Sequence, residues 1–182
     1  MSDSLDTASP QQLEEEGKNL YQKGDYLEAA LTFSAAAKAY QAAGDRLQAA
    51  EMANNCSVAY LQAGDGRAAL DAVRGTEQVF ADHGDLRRQG MALGNSASAL
   101  EAVGELDRAA EIYQQSADIL QRCGEYELRA HVLKSLSALQ LKHGNHIDAV
   151  FTMKQGLDGI EKPTLKQRII KSLLKFPMKY LK

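Results

Sequence analysis

The sequence predicts an all-α solenoid of four helical hairpins followed by a C-terminal capping helix. Three observations predict it. Glycine recurs at 24, 44, 64, 84, 104, 124 and 144, a step of twenty each time. The residue after each is acidic or Asn: Asp25, Asp45, Asp65, Asp85, Glu105, Glu125 and Asn145. Side-chain size repeats with a period of forty, so the structural unit is a pair of helices.

Composition agrees with helix. Of 182 residues, 45% are hydrophobic and 25% charged, Trp is absent and only three are Pro. Ala and Leu dominate the apolar set, and these side chains lose little freedom in a helix.

Residues 1–9 read as a disordered N-terminal tail. Ser9 is a good N-cap, Pro10 suits the first helical position and Gln12 completes a capping box. The first helix is therefore predicted to begin at Pro10. From there the repeats span 10–44, 45–84, 85–124 and 125–161. Glycine supplies the left-handed backbone that ends a helix. The Asp or Asn after it offers an oxygen to the next helix's free N–H groups, and Glu suits the positive helix start. Each helix is then roughly 18 residues, or about 27 Å long.

The two kinds of turn differ. Five residues after Gly24, Gly64, Gly104 and Gly144 stand Ala29, Ala69, Ala109 and Ala149. After the alternate turns the small residue comes one step later, at Ala50, Gly90 and Ala130. Gly17, Ser57, Ala97 and Ser137 form a small column, while Tyr40, Phe80, Leu120 and Ile160 form a bulky one. Phe33, Val73, Tyr113 and Met153 are apolar throughout. Small residues let helices approach and large ones fill the space beside them. A single hairpin cannot bury its apolar face alone, so each docks on the next.

Residues 162–182 read KPTLKQRIIKSLLKFPMKYLK. Thr164 caps a helix predicted to run to about Phe176, with Pro177 after it. Leu165, Ile169, Ile170, Leu173 and Leu174 share one face, and Lys166, Arg168, Lys171 and Lys175 lie elsewhere. Such a basic amphipathic segment suits a solenoid cap, and also a partner's groove or an acidic membrane surface. Charge is unevenly spread. Residues 1–161 carry all 24 acidic side chains against 14 basic ones, a net −10, whereas 162–182 carry seven basic and no acidic ones. The negative body and the lack of stacking aromatics beside the basic tail argue against a nucleic-acid partner.

The turns and small columns resemble the tetratricopeptide repeat (TPR). NNCSVAYLQAGDGRAAL in the second repeat and EGKNLYQKGDYLEAALTF in the first carry the family's small residue, Gly-Asp turn, alanine and aromatic. The resemblance covers about residues 10–161. The usual family unit is shorter than forty; the long-repeat class, similar to kinesin light chain and spindle-orientation adaptors, matches better. The end-of-repeat proline is missing from the first three repeats, and Lys162-Pro163 ends the fourth. The resemblance implies a right-handed α-α superhelix that binds proteins through a concave groove lined by the first helix of each repeat.

Carried over by column, that groove comprises Glu14, Glu15, Lys18, Tyr21 and Gln22; Asn54, Asn55, Val58, Leu61 and Gln62; Met91, Asn95, Ser98 and Glu101; and His131, Lys134, Ser135, Leu141 and Lys142. Asn55, Asn95 and Ser135 stand forty apart. In long-repeat relatives this column pairs with the backbone of an extended peptide, and an Asn amide both donates and accepts; packing against a neighbouring helix is the other role open to it. The two-carboxylate clamp of chaperone-binding relatives is matched only at Asn55. Glu14, Glu15 and Glu101 suggest a basic or neutral ligand at the front, and Lys134 and Lys142 an acidic one behind.

No catalytic or phosphate-loop signature appears, so no enzyme and no cofactor are expected. His143 and His146 flank one turn without further metal ligands. Cys56 and Cys123 read as small hydrophobes. No apolar run reaches the roughly 18 residues of a membrane span, and MSDSLDTASP lacks a secretory pattern. The expectation is a cytoplasmic scaffold, monomeric or weakly dimeric, for a protein or peptide partner. The alternatives are self-association through the C-terminal helix and a membrane-surface adaptor acting through the basic tail.

Overall fold

A computed structural model describes residues 8–173. The tail at 1–7, and the end of the C-terminal helix with Leu174, Lys175, Phe176 and Pro177, lie outside the described residues. Ten helices follow in order: α1 (Pro10–Lys23), α2 (Tyr26–Ala42), α3 (Arg46–Gln62), α4 (Gly66–Val73), α5 (Thr76–Asp82), α6 (Leu86–Ala102), α7 (Leu106–Arg122), α8 (Tyr126–Lys142), α9 (His146–Leu157) and α10 (Leu165–Leu173). They form an all-α solenoid in which each hairpin packs on its neighbours.

The first helix starts where its capping box places it. Ser9 N donates to Gln12 Oε1 at 2.8 Å, and Gln12 N donates to Ser9 Oγ at 3.2 Å. All seven ruler glycines lie in the left-handed region, with φ between 70° and 89°. At each turn the next residue's N–H reaches back five positions, as from Asp65 to Tyr60 O at 2.9 Å. That closes the last helical turn and uses its free carbonyls.

The side-chain caps are less uniform than the spacing suggests. Asp45, Asp65 and Asp85 accept from Gln48, Ala68 and Arg88 N–H groups. Asp25 and Asn145 make no such bond, and neither do Glu105 and Glu125. The backbone separates the two sets: ψ is 78–80° at the capping residues and 60–65° at the others.

Helix length departs from the expected eighteen. Five helices have 17 residues, the first has 14 and α9 has 12. The larger correction is in the second repeat, whose second helix is two pieces, α4 and α5, broken at Gly75 with φ 80°.

The contact between the two helices of a repeat differs at the break. Where α6 meets α7 inside the third repeat, Ser116 Oγ donates to Gly90 O at 2.6 Å, and a Cβ on Gly90 would meet Leu120 at 2.7 Å. Where α8 meets α9 inside the fourth, Gly156 lies against Ala130. The corresponding pair inside the second repeat, Ala50 and Thr76, contains no glycine. Thr76 Oγ1 donates instead to Val73 O at 2.8 Å, within its own chain segment, and the helix breaks beside it.

The core follows the predicted columns. Gly17, Ser57, Ala97 and Ser137 are buried, as are Tyr40, Phe80, Leu120 and Ile160. Phe33, Val73 and Tyr113 are buried, and Met153 is half-buried. One cluster joins the first two repeats around Phe33, Tyr40 and Met52; another joins the last two around Tyr113, Leu120 and Leu133; Ala50, Phe80 and Ala92 link them.

Thr164 and Gln167 form a second capping box at the start of α10. The helix rests on the end of α9 through Lys171, which reaches Leu157 O at 3.3 Å and Asp158 at 3.5 Å. It covers only part of the fourth repeat. Leu165, Ile169 and Leu173 stay exposed, and so do Leu141, Ile147, Val150 and Phe151.

Candidate functional site

The first helices of the repeats, α1, α3, α6 and α8, carry two cavities. One, of about 280 Å³, is lined by Lys18, Tyr21, Gln22, Phe33, Asn55 and Val58. The other, of about 150 Å³, is lined by Met91, Gly94, Asn95, Ser98, Tyr113, Leu120, Leu128, His131, Val132 and Ser135. Lys18, Tyr21, Asn55 and Val58 thus come together between the first two repeats. Met91, Asn95, Ser98, His131 and Ser135 come together between the last two.

The remaining expected positions lie elsewhere. Glu15 and Gln62 are exposed and line neither cavity. Lys134 lines a separate cleft between α8, α9 and α10. Asn54 is 8% exposed, and its Oδ1 accepts from Asn95 Nδ2 at 3.4 Å. It therefore serves as a strut between α3 and α6, the packing role an inward Asn can take.

Sequence reasoning missed six cavity residues, Phe33, Gly94, Tyr113, Leu120, Leu128 and Val132. Of these, Phe33 and Tyr113 come from second helices and share one forty-residue column. That column reads as packing, and it does pack. Its rings also reach the wall past the small residues of the first helix: a Cβ on Gly17 would lie 2.8 Å from Phe33.

The charge expectation needs correcting. Glu14 is held by Lys18 at 2.6 Å and by the Tyr40 hydroxyl at 2.7 Å. Glu101 is held by Lys142 at 2.9 Å and by Tyr113 at 3.2 Å. Glu14 is thus paired within its own helix and Glu101 with the rear Lys142, while Glu15 and Lys134 make no ion pair among the described residues. Burial pushes the Glu14 carboxyl up, but the bonds from Lys18 and Tyr40 outweigh it and hold it below its ordinary value. Burial first, then Glu101, pushes the Tyr113 hydroxyl up to about 12, against the lowering effect of its bond to Ser98. Tyr113 is therefore neutral, its hydroxyl donating to Glu101 at 3.2 Å with the Ser98 hydroxyl 3.0 Å away.

Other reactive groups are quiet. Burial pushes the Cys56 thiol up to about 11, away from the nucleophilic thiolate. Among the described residues no three His, Cys, Asp or Glu side chains group to hold a metal. No helix among them is long and apolar enough to cross a membrane.

Residues 88–162 match the family model described as tetratricopeptide repeat. That stretch, the third and fourth repeats, carries the tetratricopeptide repeat pattern. The match covers the second half of the array, and the first half repeats the same turns at the same spacing. No curated protein matches the chain. Tetratricopeptide repeats generally mediate protein–protein interaction, and the repeat is typically a non-enzymatic scaffold.

Proposed function

We propose that this chain is a non-catalytic scaffold whose first-helix wall binds an extended peptide. The observation that carries the reading is the pair of cavities. Each combines apolar lining with a few polar side chains, the mixture that gives a binding site both affinity and orientation. In the first, Asn55 offers donor and acceptor beside Val58, Phe33 and Tyr21. In the second, Asn95, Ser98 and Ser135 surround Met91 and the Tyr113 ring.

With Glu14 and Glu101 already paired, the ligand is read by backbone hydrogen bonds and apolar side chains more than by charge. Peptides selected from a displayed random library on the wild-type protein should bind Asn55→Ala/Asn95→Ala at least about tenfold more weakly, the cost of leaving polar partners unpaired. Circular dichroism would confirm that the variant is folded. Unchanged affinity in a folded double variant would reject the wall as the site.

A second reading rests on α10. Its exposed Leu165, Ile169 and Leu173, next to Lys166 and Arg168, suit self-association through the C-terminal helix. Light scattering of the full chain and of residues 1–161 tests it; two monomers would dismiss it.

A further inference from the structure

The broken helix of the second repeat opens a cleft on the side of α3 turned away from Asn55 and Val58. It measures about 580 Å³ and lies between α2, α3 and the junction of α4 with α5. Lys38, Arg46 and Arg74 line it, Ala49, Ala50 and Ala53 are among its floor, and no carboxylate is among its lining residues. Asp71, at the edge, pairs with Arg74 at 2.8 Å, both side chains being exposed. Among the described residues Lys38 and Arg46 make no ion pair. Three cations therefore converge in a body whose net charge over 1–161 is −10.

From this arrangement we infer a second docking surface, specific for an acidic amphipathic segment of a partner protein. Charge complementarity selects the sign of the ligand. The alanine floor selects its shape. Small side chains let a partner backbone approach closely, and an apolar floor is best covered by apolar residues. A nucleic acid fits poorly, because no aromatic ring lines the cleft to stack a base. The Gly75 break is what keeps the surface open. In the third and fourth repeats, each with a glycine in the corresponding pair, the two helices close on each other.

The test uses a fluorescein-labelled helical peptide of glutamate, alanine and leucine, with anisotropy measured on the full chain at low and high salt. The wild type should bind it, and salt should weaken binding. Lys38→Glu/Arg46→Glu/Arg74→Glu should weaken it about tenfold or more, as reversal of rim charges does. The neutral variant Lys38→Gln/Arg46→Gln/Arg74→Gln should give a smaller loss with an unchanged circular dichroism spectrum. Arg108→Glu/Arg122→Glu/Lys154→Glu makes the same change of charge away from the cleft and should bind like wild type. The inference is overturned if the wild type does not bind. Equal binding by the cleft variants, or an equal loss in the distant variant, would also overturn it. Tighter cleft-dependent binding of a DNA oligonucleotide or of anionic vesicles would replace the peptide with a polyanion.

Discussion

Tyr40 and Glu14, on opposite helices of the first hairpin, are joined by a 2.7 Å hydrogen bond from hydroxyl to carboxylate. The bond pushes the Tyr40 hydroxyl up to about 12 from an ordinary 10.0, with burial adding to it. In the unfolded chain Tyr40 titrates near its ordinary value, so the unfolded state releases this proton first. The stability from this contact is thus complete below pH 10.0 and fades as pH rises towards about 12. Tyr40→Phe should be less stable than wild type by about 1 kcal/mol at neutral pH. The gap should narrow across that alkaline window. Denaturant melts at several pH values measure it; a gap that stays constant would show that Tyr40 titrates alike in both states.

The glycines divide into two kinds, and substitution separates them. Gly64 has φ 84° and nothing within 4 Å of an added Cβ, so only its backbone matters. Gly64→Asn should therefore cost less than Gly64→Val, since Asn tolerates the left-handed region and a β-branched residue does not. Equal melting temperatures for the two would remove Gly64 as a helix stop.

Gly90 is limited by space instead. An added Cβ meets Leu120 at 2.7 Å, so Gly90→Ala should destabilise by about 1–3 kcal/mol through overpacking. Adding Leu120→Ala should recover part of that loss, and a double-mutant cycle measures the coupling. Additive effects would show that the two side chains do not compete for the same volume.

Arg129 is 4% exposed and donates to Gln155 O at 2.6 Å, near the end of α9. Arg129→Met should cost about 2–3 kcal/mol, since a charged donor satisfies that carbonyl. Hydrogen exchange should rise most in α9 and α10. Exchange that rises evenly over the chain would deny Arg129 a local role in anchoring that end.

Lys142 and Glu101 also pair at 2.9 Å, but the Lys142 side chain is 69% exposed. Lys142→Ala should therefore leave stability close to that of wild type. A marked drop in chemical denaturation would mean that this contact holds the third and fourth repeats together.

What could be read from the sequence was what depends on near neighbours. The Gly-Asp turns, the Ser9–Gln12 box and the buried alanines at 29, 69, 109 and 149 all follow from local chemistry and a fixed period. The break at Gly75 was written in the chain but stood off the twenty-residue ruler, and Thr76 there bonds back to Val73 O instead of reaching α3. The burial of Arg129 depends on a carbonyl 26 residues away, which local pattern does not show. Phe33 and Tyr113 were read as core, and a residue that both packs and lines a cavity cannot be separated by pattern alone. The cancelling of Glu101 by Lys142 needed the register of two repeats, which side-chain type does not supply.

The Asn54–Asn95 strut gives the wall a particular arithmetic. It fixes the first-helix surfaces of the second and third repeats to each other, and with them the cavity before it and the cavity after it. A ligand seated in one cavity and long enough to reach the other meets the second as an intramolecular step, at an effective concentration set by its own linker. Two shallow sites of modest strength would then select for spacing along a chain, and a ligand with the right residues at the wrong separation would gain only one of them.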